Sequence, residues 1–145
     1  MRILAIVFAL SISLQMLAQT ELAGVSIPQT FKAGEKNLVL NGSGIRKKMF
    51  FDIYVGSMYL PSKINDPGTI MKANDYMNMR IHIVSSLITS DKMVEAVREG
   101  FQKSTGGNTT ALKDRIEAFL KVFQKEAIVK GNFFDLTYVP NGGLS

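Results

Sequence analysis

Residues 41–60 constrain the fold of this chain more than any other stretch. From Met49 onward one parity carries Met49, Phe51, Ile53, Val55, Ser57 and Tyr59, and the other Phe50, Asp52, Tyr54, Gly56, Met58 and Leu60. Period-two alternation among aromatic and β-branched residues specifies a strand, with its odd-numbered face turned to a core. The even face is mixed. Gly42 and Gly44 precede the strand as a Gly-x-Gly pair and predict a sharp chain reversal, with Arg46 in the turn. Arg46 near the start and Tyr54 further along are expected to point into one pocket.

The flanking segments supply the rest of a sheet. Residues 25–32 read as a strand interrupted by Pro28, which favours an edge because proline donates nothing to the ladder. A turn at residues 33–36 leads to a returning strand over 37–40. Asp66 and Pro67 are a cap and a tolerated first position for a short helix reaching Lys72. Over residues 76–86 a further strand presents Met77, Met79, Ile81 and Ile83 on one face and Asn78, Arg80, His82 and Val84 on the other. Such a strand suits a sheet covered on one side. Ser90 and Asp91 open a helix that ends at Thr105-Gly106. A second, starting at Thr109 or Thr110, has an apolar stripe of Leu112, Ile116, Phe119, Leu120 and Phe123. Residues 133–139 form a last strand, followed by a turn at 140–143. The order predicts an α+β domain, an antiparallel sheet with helices packed on one face.

The first nineteen residues stand apart. A single positive charge at Arg2 precedes an apolar run too short for a lasting membrane span, and one small residue, Ala18, lies near a plausible cleavage point. This pattern predicts a signal peptide over 1–19, an exported domain over 20–145, periplasmic or secreted, and no stable membrane span after cleavage; the competing reading is an uncleaved N-terminal anchor. The chain has no cysteine, which excludes a lipoprotein anchor, disulfides and thiolate metal sites. The net charge of +5 is scattered apart from Arg46-Lys47-Lys48. That is too little for a nucleic-acid stripe. The cluster suits a solvated turn, an anionic ligand or a membrane surface.

Most candidate chemistry fails for lack of partners. His82 is the only histidine, so neither a zinc site nor a catalytic triad can be assembled around it. Gly42-x-Gly44 lacks the third glycine and the following helix of a dinucleotide fingerprint. Asp114 and Glu117 belong to the charged outer face of an amphipathic helix, and the methionines suit core filling. No cofactor is implied. Arg46, Tyr54 and, as a helper, Tyr59 remain. A guanidinium fork fits a carboxylate, and a phenol adds a hydrogen bond above an apolar sheet face. The competing reading makes Arg46 an ordinary turn residue and Tyr54 an ordinary strand aromatic.

Gly44-Ile45-Arg46, the Phe-rich strand and the closing Tyr59-Leu60 resemble the chalcone isomerase-like proteins, specifically their bacterial branch, from about Gly24 onward. The resemblance implies an open-faced sandwich with a ligand cleft between sheet and helices. In the enzymes of the family the arginine matching Arg46 assists ring closure; non-catalytic members hold a fatty acid carboxylate with it. The enzymes' threonine falls on Tyr54, their tyrosine on Thr89 and their helix asparagine near Ala96, so the catalytic set is not kept. The family's closing strand and C-terminal helix, expected beyond Tyr138-Val139-Pro140, have no counterpart, so the expectation is either a sheet completed differently or a C-terminally shortened domain. The expectation is a non-catalytic binder of a fatty acid or similar amphipathic carboxylate through Arg46, Tyr54 and Tyr59. The alternatives are an intramolecular lyase of chalcone isomerase type, using Arg46 and Tyr54, and an envelope module that pairs with a partner through an open sheet edge.

Overall fold

The computed structural model describes residues 20–144; the signal peptide expected over 1–19 lies outside them. A two-stranded hairpin, β1 (Thr20–Leu22) and β2 (Val25–Ile27), leads into β3 (Thr30–Ala33), β4 (Lys36–Lys48) and β5 (Phe51–Leu60). Then come helix α1 (Pro67–Lys72), β6 (Met77–Ile83), helix α2 (Ser90–Ser104), helix α3 (Lys113–Leu120), β7 (Phe133–Val139) and the short β8 (Gly143–Leu144). Strands β3 to β8 form one antiparallel sheet in sequence order. The α+β architecture with helices on one face is the one the alternation and helix stripes predict.

Several local features are as expected. Asp66 caps α1 by accepting from the Thr69 amide at 2.8 Å, with Pro67 in the first turn. These hydrogen bonds to Thr69 hold the Asp66 carboxyl below its usual pKa. For α2 the capping oxygen belongs to Thr89 rather than to Ser90 or Asp91. The Ser90 hydroxyl instead accepts from the Ile128 amide and donates to the Glu126 carbonyl, tying the helix start to the segment before β7.

Pro28 breaks the predicted first strand in two. Its N-terminal half, β2, leaves the main sheet and pairs with β1. The resulting hairpin covers the sheet face opposite the helices, so the sheet is covered on both sides rather than one. Val25 and Ile27 of the hairpin pack with Leu38, Leu40, Val55 and Tyr59 of the sheet. On the helix side, Met93 and Phe123 pack with Ile83 and Ile128. There, edge-to-face rings run from Phe101 through Phe119 and Phe123 to Phe134, with centroids 6.0, 5.4 and 5.3 Å apart. Such pairs add orientation to the apolar burial that joins α2, α3 and β7.

The glycine pair does not make the predicted reversal. Strand β4 runs straight through Gly42 and Gly44 to Lys48, and the chain reverses at Met49-Phe50, with Lys48 opposite Phe51. A bulge at Asn41 accounts for what the glycines do. Leu40 opposes Tyr59 and Gly42 opposes Met58, leaving Asn41 without a register partner. The extra residue transfers later even-numbered positions to the other face. Leu38 and Leu40 therefore enter the hairpin-side core, while Gly42, Gly44 and Arg46 face the helix side. The bulged Asn41 side chain exchanges two hydrogen bonds with Ile64, at 2.8 and 3.0 Å, and fixes the loop after β5.

Candidate functional site

Arg46 and Tyr54 are direct partners across β4 and β5. Facing residues of an antiparallel pair project from the same side of the sheet, here the side that carries the helices. The next facing pair is Gly44 and Gly56, and the one after it Gly42 and Met58. Met79 of β6 stands opposite Met58. Two facing glycines remove the side chains that would fill the sheet surface at this point. The result is an open trough of about 530 Å³, floored by Gly42, Gly44 and Gly56, walled by Met58 and Met79, and ended by Arg46 and Tyr54.

None of the three glycines adopts positive φ. A Cβ at Gly42 or Gly44 would meet nothing within 4 Å, and one at Gly56 would make ordinary contacts with Tyr54 and Met79. The backbone thus does not require glycine at these positions. What glycine provides is space. From Arg46 to Gly42 the trough runs four residues along β4, or ~13 Å at the usual strand rise.

The helix layer borders this trough without roofing it. Every lining residue belongs to β4, β5 or β6, so the cleft between sheet and helices expected from the family resemblance is a channel beside the helices. Tyr54 marks the border, since it also packs against the helix-side core. From α2, Glu99 lies within electrostatic reach of Arg46 and Lys48, and its carboxyl is held below the usual value chiefly by its hydrogen bond to Lys103. That bond directs Glu99 toward its own helix and leaves Arg46, an exposed side chain, open to an incoming anion.

Tyr59 does not join this group. It is fully buried on the opposite face, where its hydroxyl donates to the Pro28 carbonyl at 3.0 Å. Burial there raises its pKa. Its assignment as a ligand helper is corrected: Tyr54 and Tyr59 differ by an odd number of positions in an unbroken ladder, and must face apart. Tyr59 lies near a second polar group. Arg80 makes a bidentate pair with Asp135 at 2.7 and 2.8 Å, and its guanidinium sits over the rings of Phe31 and Phe133. Asp135 raises the Arg80 pKa further. Phe31 is on β3 and Arg80 on β6, so this contact also registers how strongly the sheet curls around its hairpin-covered face.

The positions matching the enzymes' other groups are not assembled around the trough. Thr89 is occupied as the α2 cap, and Ala96 lies exposed on that helix. Among the described residues, no group of three His, Asp or Glu side chains is placed to hold a metal ion.

The profile of the chalcone isomerase-like family matches residues 19–145. The chain belongs to this family. Among solved structures, a fatty-acid binding protein of Arabidopsis thaliana matches with a TM-score of 0.64 and 22% identity, over 85% of this chain and 73% of that one. At this identity the likeness establishes the shared chalcone isomerase-like fold. No curated protein matches the chain significantly. The trough residues Gly42, Gly44, Gly56, Met58 and Met79 escape a linear reading of the sequence, because only strand register brings them together.

Proposed function

We propose that this chalcone isomerase-like protein is a non-catalytic carrier of a fatty acid or a similar amphipathic carboxylate. The observation that carries the reading is the Arg46–Tyr54 cross-strand pair at the end of a trough floored by facing glycines. Arg46 pairs with the carboxylate through its guanidinium fork, and Tyr54 donates a further hydrogen bond. The apolar tail lies along Gly44, Gly42 and Gly56 against Met58 and Met79, whose flexible thioethers adapt to tails of different shape. The name of the Arabidopsis thaliana neighbour, a fatty-acid binding protein, supports this ligand class. Neither Thr89 nor Ala96 lines the trough, which speaks against the enzymatic alternative.

The same reading includes export. Residues 1–19 act as a signal peptide, and the mature protein binds its ligand outside the cytoplasm, in the periplasm or the medium. Among the described residues no helix is long and apolar enough to cross a membrane.

Native and denaturing mass spectra of the protein recovered from cells expressing the full chain test both points. An excess mass that vanishes on denaturation and equals a fatty acid is the expected result, with an N-terminus near Thr20. A folded protein that remains free of ligand after incubation with fatty acids would overturn the carrier reading. A retained Met1 would overturn cleavage of the signal peptide, and recovery of the protein in the cytoplasmic fraction would overturn the export reading.

A further inference from the structure

The β4–β5 hairpin ends in Met49, Phe50 and Phe51, which are 82%, 92% and 56% exposed. Three consecutive large apolar side chains, two in the turn and one at the start of β5, stand in water and give up the burial that would otherwise favour them. Phe50 packs on neither core cluster.

The turn chemistry points the same way. In a two-residue hairpin loop with positive φ at the first central position, glycine is favoured. Here that position is Met49, with φ of 56°. A bulky side chain in the left-handed region costs backbone energy, and none of the three tip side chains belongs to either core cluster. Breaks of a local rule of this kind are expected at functional or strained sites.

The flanks of the tip are cationic. Lys47 and Lys48 lead into it, and Arg46 precedes them on the trough side. Asp52 on the returning strand pairs with Lys47 at 3.0 Å. On α2, Glu99 faces Arg46 and Lys48 and is bound to Lys103. Arg46, Lys47, Lys48 and Lys103 set against Asp52 and Glu99 leave a net positive collar around an apolar point. Side chains that enter the acyl boundary, ringed by lysines at headgroup depth, match an anionic bilayer surface.

We propose that the β4–β5 hairpin is a membrane-docking tip, inserting Met49, Phe50 and Phe51 into the interface of an anionic bilayer while Lys47 and Lys48 engage its headgroups. The proposal does not depend on carboxylate binding, and its test uses no added fatty acid. Failure of one reading therefore leaves the other standing.

The experiment is vesicle flotation with the protein recovered from cells expressing the full chain. Vesicles of phosphatidylcholine alone are compared with vesicles containing phosphatidylglycerol, at low and high salt. Two net cations predict about 25-fold tighter binding to the anionic vesicles, at about fivefold per cation. Salt is expected to erode this preference. Phe50→Ser is expected to weaken binding about tenfold or more, and Lys48→Glu to abolish most of the anionic preference. Both sites are exposed, so both variants are expected to keep the wild-type circular dichroism and melting temperature.

The chain contains no tryptophan, so Phe50→Trp supplies a single reporter. Its emission is expected to shift to the blue on anionic vesicles and to be quenched by brominated acyl chains. Wild-type affinity in Phe50→Ser, or a Phe50→Trp emission spectrum unmoved by vesicles, would overturn the proposal. So would a protein that ignores vesicles and sediments as a dimer that Phe50→Ser dissociates, since the tip would then dock on a second copy of the chain.

Discussion

Replacing Gly44 by valine separates ligand binding from stability, because the two are expected to move in opposite directions. Gly44 has ordinary strand dihedrals, and a Cβ there meets nothing within 4 Å. Removing glycine from such a strand position lowers the entropy of the unfolded chain and restores a β-branched residue. This is expected to stabilise the protein by about 0.5–1 kcal/mol. For a domain of this size the gain raises the melting temperature by about 2–5 °C. In the trough the isopropyl group occupies the place of roughly two to three methylenes of the tail. At ~0.8 kcal/mol per buried methylene the loss is about 2 kcal/mol, or roughly 30-fold in Kd. Isothermal titration with a long-chain fatty acid gives the affinity, and thermal unfolding of the same sample without ligand gives the stability. An unchanged Kd with a raised melting temperature would refute the placement of the tail over Gly44. A lowered melting temperature would refute the claim that glycine is there for space.

Further variants probe the head of the trough and the opposite face. Arg46→Ala is expected to weaken fatty acid binding by about 2–3 kcal/mol, the scale of a charge-assisted pair, with unfolding unaltered; an unchanged titration would remove Arg46 from the site. Tyr59→Phe is expected to cost about 1 kcal/mol of stability through the lost bond to Pro28 and to leave fatty acid affinity within about twofold, so a large loss of affinity would refute the separation of the two faces. The pKa of Tyr59 is raised in the fold, so the stability of its neutral phenol is complete below the ordinary value of 10.0 and is lost as pH rises through the raised one. Tyr59→Phe should therefore flatten the alkaline limb of a urea-midpoint profile, and an unaltered limb would refute the assignment. On the acid side, Arg98 holds Glu117 below its ordinary value of 4.5, so that contribution is present above this pH and fades as pH falls through the lowered one. Glu117→Gln is expected to make the profile shallower below about pH 4.5, and an identical acid limb in the variant would count against it.

Much of the fold was legible because its signals are local. Asp66 and Pro67 mark the start of α1, alternation separates the two faces of β5 and β6, and the helix stripes give Ile116, Leu120 and Phe123 as buried residues. Arg46 and Tyr54 were legible as a pair by residue type. Their juxtaposition, however, rests on a different geometry from a turn beside a strand. The hairpin reverses at Met49-Phe50, two residues with no turn preference, where nothing local announces a reversal. The cover supplied by β1 and β2 was equally hidden, since Pro28 reads as an interruption of one strand as readily as the boundary between two sheets.

Tyr59 and the glycines show two different ways in which local reading fails. For Tyr59 the needed information is in the alternation itself: Tyr54 and Tyr59 have opposite parity and so belong to opposite faces of the sheet. For Gly42 and Gly44 no local signal suffices, because a glycine at a ladder position and one in a turn look alike along the chain. The difference lies in register. Gly44 becomes a floor only because Gly56, twelve positions away, stands opposite it, and Gly42 shares that face only because Asn41 is bulged. Had β4 kept its register through Asn41, the face carrying Leu38 and Leu40 would have continued into the glycines and Arg46. The cation would then lie in the hairpin-side core instead of at the mouth of a trough. The bulge at Asn41, held by its bonds to Ile64, thus lets one strand seal a core with its first half and line the open trough with its second.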